Sequence, residues 1–241
     1  MPVLTWQRTW LAVVLTVGLV LAGGRPASAQ KEFEIYYQMQ AMNEALGVGC
    51  TYCHVSTADK RVDYKADGNP KKVIARKMLA MTVDINARVW LATGTDAAKQ
   101  AAVGCVSCHR GVPVPASMAT IMSRTIDQEG PAAAVDRYRE LRRRFYERDV
   151  YDFTEGELLR IARLYVDSNP DAAMALAKMN LDWRPASAAS YVVMAFAYTR
   201  KLDDASAIPL LRKALELDPD NGAARGYLLK LEEFQRMREN R

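Results

Sequence analysis

The chain has 241 residues, half of them apolar and a quarter charged, which suits one or two globular domains and excludes a disordered or fibrous polymer. Its formal charge is only +5, and the first 29 residues hold Arg8 and Arg25 but no acid, so the remainder carries +3. That balance gives no footing to nucleic-acid binding.

At the N-terminus, Arg8 precedes an apolar run from Trp10 to Gly23, and Ala27-x-Ala29 stands just before Gln30. This is the layout of a secretory signal with a small-residue cleavage site. The run falls short of the roughly 20 apolar residues that a spanning helix wants. Residues 1–29 are therefore expected to be a signal peptide cleaved after Ala29, which places the protein in the periplasm. The alternative is a chain tethered to the membrane by an uncleaved N-terminus.

The next stretch carries Ile35, Met39, Met42 and Leu46 at helical spacing, and Gly47 and Gly49 break the pattern. Cys50-x-x-Cys53-His54 follows at once. A second helix opens with Asn69 as N-cap and Pro70 at its first position. Ile74, Met78, Met81 and Ile85 then repeat the spacing of the first stripe, Val89 extends it, and Gly94 sits where it can end. After a loop comes Cys105-x-x-Cys108-His109. The order reads as a duplicated helix-plus-motif unit with unequal loops.

The two motifs consume all four cysteines and both histidines of the chain. Cys-x-x-Cys-His is the spacing of covalent c-type haem attachment, with two thioether bonds to the porphyrin and the histidine as one axial ligand of iron. Paired short-loop disulfides or a tetra-cysteine zinc site fit the cysteines but leave the histidines unexplained. Two covalently attached c-type haems are the expected cofactors. No histidine remains for either distal position, so methionine, another side chain or water takes it, or it stays empty. Methionine thioether suits low-spin iron and raises its potential. The duplicated stripe offers Met39 or Met42 to the first haem and Met78 or Met81 to the second, while Met118 and Met122 lie further on.

Pro113-Val-Pro115 stops the helical pattern, so residues 30–115 are expected to form the dihaem domain and 116–131 a linker. From Ala132 to Arg241 helical periodicity runs almost unbroken. Pro185 and Pro219 lie 34 residues apart, with Ala195, Tyr198, Ala207, Leu211 and Ala214 leading to the second. This period and its small and large packing positions resemble tetratricopeptide repeats. Ala173 and Ala177 mark a weaker preceding copy. Two copies are too few to be stable alone, so either the helix around Val135, Tyr138, Leu141 and Phe145 or the haem domain must complete the stack. Six arginines between Arg137 and Arg148 read as the wet face of that helix, or as a patch for an acidic partner or anionic lipid. Trp90 and Trp183 read as packing residues. The fold class is all-α: a helix-plus-CxxCH dihaem domain followed by a tetratricopeptide-like helical hairpin array over 132–241.

The stretches Tyr37–His54 (YQMQAMNEALGVGCTYCH) and Ala75–Gly111 (ARKMLAMTVDIN, then GCVSCHRG) resemble the cytochrome c subunit of photosynthetic reaction centres. In that family each haem lies along a helix that donates a methionine from ahead of the attachment motif. The resemblance implies Met39 and Met78 as iron ligands beside His54 and His109, with Met42 and Met81 as packing neighbours. The photosynthetic members carry four haems and a further histidine ligand, whereas this chain has one motif pair and no histidine to spare.

These readings point to an exported electron carrier rather than an enzyme, with no catalytic residues. Its expected partners are redox proteins, a further protein held by the repeat-like region, and at most the periphery of a membrane. The alternatives are a peroxidase-like enzyme with one open haem, or a haem-bearing assembly subunit recruited through the repeats.

Overall fold

The computed structural model describes residues 27–94 and 102–240. The chain divides between Pro113 and Val114 into two units. Among the described residues the protein is all-α, apart from one hairpin of two-residue strands. Most of the expected signal segment, residues 1–26, lies outside the described residues. No described helix is long and apolar enough to cross a membrane.

In the first unit, α1 runs Ala27–Leu46 and ends at Gly47, whose φ of 64° is left-handed. A 3₁₀ turn, Cys50–Tyr52, follows, and then β1 (Val55–Ser56) pairs antiparallel with β2 (Val62–Asp63), Val55 opposite Asp63. Helix α2 covers Pro70–Thr93. Its bounds are those its residues dictate. The Asn69 side chain accepts from the Lys71 amide, Pro70 gives up no bond in the first turn, and Gly94 closes the helix at φ 62° with its N–H on the Trp90 carbonyl. The short helix α3 is Cys105–His109.

The end of α1 lies backbone to backbone against the tail of the second motif. The Gly111 N–H donates to the Ala45 carbonyl at 2.7 Å, and a Cβ on Gly47 would collide with the Gly111 carbonyl. Gly47→Ala therefore meets both a left-handed backbone and a backbone clash. It is expected to cost the first unit about 2 kcal/mol or more, read as a lower denaturation midpoint of that unit alone.

The second unit is a stack of helical hairpins. Helices α4 (Met118–Glu129) and α5 (Pro131–Phe145) form the first, α6 (Glu155–Leu164) and α7 (Pro170–Leu181) the second, and α8 (Ala188–Arg200) and α9 (Asp204–Leu217) the third. Helix α10 (Gly222–Glu239) closes the array against α9. Helices α6, α8 and α10 begin at Glu155, Ala188 and Gly222, steps of 33 and 34 residues, whereas α4 begins at Met118, 37 residues ahead of α6. Ser117, Thr154, Asn169, Ser187, Asp203 and Asn221 each cap a helix by accepting the amide three residues on. Each such cap contributes about 1 kcal/mol.

Alanines let the helices approach closely. Ala173, Ala177, Ala195, Ala207 and Ala214 are fully buried, with Ile161, Leu176 and Leu211 between them. Leu211→Ala is expected to destabilise this unit by roughly 2–5 kcal/mol, because the surrounding helices cannot collapse into the space. A thermal melt followed by helical circular dichroism would read it. Trp183 packs on Tyr138, ring centroids 5.8 Å apart, as a packing residue should. The basic stretch of α5 is largely paired: Arg137 and Arg144 with Glu140, and Arg139 with Asp182. Those exposed pairs contribute little stability and fit a solvated face.

The expected linker needs correction. Residues 116–131 hold α4, and Met118, Met122, Thr125 and Ile126 are buried in the core of the second unit. The apolar side chains recur every fourth residue behind the Ser117 cap, so they form a stripe, and the prolines around them bound a helix instead of breaking one. Hairpin α4–α5 is thus what completes the stack. Met118 and Met122, at 2% and 0% exposure, are core residues and drop out as iron ligands.

Candidate functional site

The first motif forms one wall of an open cleft of about 620 Å³, counting its mouth. The 3₁₀ turn folds the motif back on itself, with the Cys53 and His54 amides both on the Cys50 carbonyl at 3.3 and 3.0 Å. Cys50, Cys53 and His54 thereby face the same space. Helix α1 lines it with Met39, Met42 and Asn43, and α2 with Lys72, Ala75, Arg76 and Leu79. The spacing of Met39 and Met42 puts both on the cleft side of α1. The structure thus brings the predicted Met39 and its neighbour Met42 to the same cleft as His54.

The loop between the strands and α2 completes the cleft through one lysine. Lys72 Nζ donates to the carbonyls of Tyr64, Lys65 and Ala66 at 2.9, 3.1 and 2.9 Å and meets the Asp67 carboxylate at 2.9 Å. Its side chain is only 12% exposed. Arg76 makes two bonds to the same carboxylate, at 3.0 and 2.7 Å. Hydrogen bonds from Arg76 and then Lys72 hold Asp67 well below the usual carboxylate range. So fixed, the loop sets the Tyr64 ring edge-on to His54, centroids 5.2 Å apart.

Burial, and then the Lys72 and Arg76 charges, push His54 below its ordinary value. Burial pushes the Cys53 thiol up, against the opposing charge of Lys71. The neutral imidazole keeps a lone pair for a metal. Its Nδ1 is buried without a partner in the protein. Lys71 stands over the Tyr52 ring at 3.7 Å, inside the motif.

At the second motif, His109 Nδ1–H donates to the Val112 carbonyl at 2.9 Å. A carbonyl can only accept, so this bond places the proton on Nδ1 and leaves the Nε2 lone pair open to a metal. Ser107 accepts the Gly104 amide at 3.1 Å and shapes the turn into α3. Met78 and Met81 are 41% and 45% exposed. Together with Ile74 they lie on a face of α2 separate from the Ala75–Leu79 face that lines the first cleft.

The four cysteines form no disulfide. Among the described residues, no group of three or more His, Cys, Asp and Glu side chains converges on a metal position. A shared tetra-cysteine zinc site is therefore not built, whereas each motif presents two thiols and an imidazole as covalent haem attachment requires. Apolar lining, two thioether-forming thiols, a neutral imidazole and a thioether sulfur in reach make a donor set that fits haem.

The model of a known family, the photosynthetic reaction centre cytochrome C subunit, matches residues 55–140. This chain is similar to the cytochrome c subunit of photosynthetic reaction centres. That subunit in Rubrivivax gelatinosus is 39% identical over 85 residues, covering 34% of this chain and 20% of the relative. The same subunit in Thermochromatium tepidum is 29% identical over 109 residues, 42% of this chain and 26% of the relative. Cytochrome c-554 of Chloroflexus aurantiacus is 34% identical over 77 residues, 32% of this chain and 17% of the relative. The chain thus spans about a fifth of the length of these relatives. No solved structure matches it significantly.

Several site residues carry no local sequence signal. Tyr64 and Lys72 belong to the cleft only because of the loop between them, and Gly47 and Gly111 meet across 64 positions of chain. Asn69 was legible as a cap, but its second bond, from Nδ2 to the Tyr52 carbonyl at 3.0 Å, ties the start of α2 to the first motif.

Proposed function

We propose that the chain is an exported dihaem c-type cytochrome that passes single electrons between redox proteins of the periplasm. The observation that carries this reading is the first cleft, where Cys50, Cys53 and His54 share one apolar space with Met39 and Met42. The similarity to reaction-centre cytochromes supports the same chemistry. Haem, when bound, supplies a one-electron iron couple.

The protein's residues do the rest. Cys50, Cys53, Cys105 and Cys108 hold the two groups covalently, and His54 and His109 each give an imidazole nitrogen. Met39 and Met78 would supply the remaining iron ligands, with Met42 and Met81 packing beside them. A haem so held would exchange electrons without taking up substrate, and the surrounding side chains would set its potential through burial, charge and hydrogen bonding. Arg76, which lines the cleft with an exposed side chain, is placed to offset negative charge at its edge, while Lys72 is taken up by the loop and Asp67. The tetratricopeptide-like array is proposed to hold a protein partner, consistent with a redox assembly.

Optical and spin-resonance spectra of the purified exported protein test this. Both haems are expected to be low-spin and six-coordinate, without rapid turnover of peroxide. A five-coordinate high-spin haem, or brisk peroxide consumption, would show a peroxidase-like enzyme instead.

A further inference from the structure

The two helix-plus-motif units reach their cysteines by different routes. In the first, α1 ends at Leu46 and passes to Cys50 through a tight turn, in which the Val48 amide bonds the Asn43 carbonyl at 3.1 Å. The helix itself therefore sets where that motif stands. In the second, α2 ends at Thr93 and the motif begins only at Cys105, so the two elements are not adjacent in sequence.

A side chain spans that gap. Asn86 Nδ2 donates to the Val103 carbonyl at 2.9 Å, and Asn86 Oδ1 accepts the Val103 amide at 2.7 Å, across 17 positions of sequence. Both backbone groups of one residue are thus paired with one primary amide, as in a rung of a β-ladder. Two short bonds through a planar group fix direction as well as distance. Val103 is two residues ahead of Cys105, and Asn86 lies on the same helix as Met78 and Met81.

We infer that Asn86 is the positioning residue of the second haem centre: its amide registers the Cys105–His109 motif against the methionine-bearing helix α2. The inference rests on the haem reading above, but not on whether Met78 or Met81 is the ligand. Without the clamp, the motif keeps its cysteines, its histidine and its backbone bond to α1 through Gly111 and Ala45, but loses its side-chain tie to the helix proposed to supply the sixth ligand. Covalent attachment then survives while the methionine-to-iron bond fails. The first centre, held by its own short turn, is unaffected.

The test uses the full exported chain. Asn86→Leu removes both bonds at similar volume, and Asn86→Asp keeps the acceptor for the Val103 amide while losing the donor. Thr82→Val, which removes a hydroxyl bonded only to the Leu79 carbonyl of α2, is the control. A chain with Cys105 and Cys108 changed to serine assigns the signals of the first haem. In Asn86→Leu the mass is expected to show both haems retained. One methionine-to-iron absorption band should disappear, and the second potential should fall by about 59 mV or more, tenfold in electron affinity. Asn86→Asp is expected between Asn86→Leu and the unaltered protein, and it carries the test if Asn86→Leu does not accumulate. Thr82→Val should match the unaltered protein. Two attached haems with both bands and both potentials unmoved by the Asn86 changes would overturn the inference alone, as would equal shifts at both haems. An unaltered protein without two covalent haems would overturn the functional reading, and this inference with it.

Discussion

With all four motif cysteines changed to serine, the first unit is expected to lose its helices while the second stays folded. Protein packing buries only two hydrophobic side chains of the first unit, Ala45 and Val112, among the described residues. Helix α2 is 24 residues long and has no buried residue. Ile35, Ile74 and Val83 are 48%, 52% and 69% exposed. Helices of this length without a packed face are marginal in water, because propensity alone hardly repays nucleation. Thioether-linked porphyrin is the apolar surface that these faces are patterned to meet. The second unit needs none of it, having two hydrophobic core clusters of its own between Met118 and Leu231. Circular dichroism of the serine variant should show helix loss limited to the first unit. Limited proteolysis should leave a resistant fragment beginning near Val114. A cysteine-free first unit as protease-resistant as the unaltered one would contradict this.

The second large effect concerns the sixth ligands. Met39→Ala and Met78→Ala are each expected to abolish one of two methionine-to-iron absorption bands and to lower the potential of one haem, because loss of the thioether removes the ligand that favours reduced iron. Both haems should remain covalently attached in each variant. Met39 and Met42 are the methionines that line the first cleft with His54. Met78 and Met81 lie within one turn of each other on an exposed part of α2. If Met42→Ala or Met81→Ala produces the loss instead, the ligand register moves by three residues and the family-based choice of Met39 and Met78 fails.

Much of this is legible in the sequence itself. Local signals were reliable where one principle dominates: Asn69-Pro70 and Gly94 bound α2 because capping and left-handed φ are properties of those residues themselves. The expected helical array is present, and the helices starting at Glu155, Ala188 and Gly222 keep close to the 34-residue spacing, while the first hairpin, from Met118, does not. The segment 116–131 was misread because Pro115 and Pro131 suggested irregular chain, although Ser117 and the Met118, Met122, Ile126 stripe already specified a capped helix. Other features lay beyond local reading. The contact of Gly47 with Gly111, the Lys72 hold on three loop carbonyls and the Asn86 clamp on Val103 join positions far apart in sequence. Each is settled by where backbone groups come to rest, and no composition or period encodes that.

Each CxxCH motif is proposed to carry a covalent haem, and the mass of the exported protein under denaturing conditions, with its haem absorbance after denaturation, tests this. The expected mass is that of the polypeptide plus two haem groups, one lost with the Cys50–Cys53 pair and one with the Cys105–Cys108 pair. A polypeptide mass without haem, with disulfides or dissociable zinc at those cysteines, would contradict it.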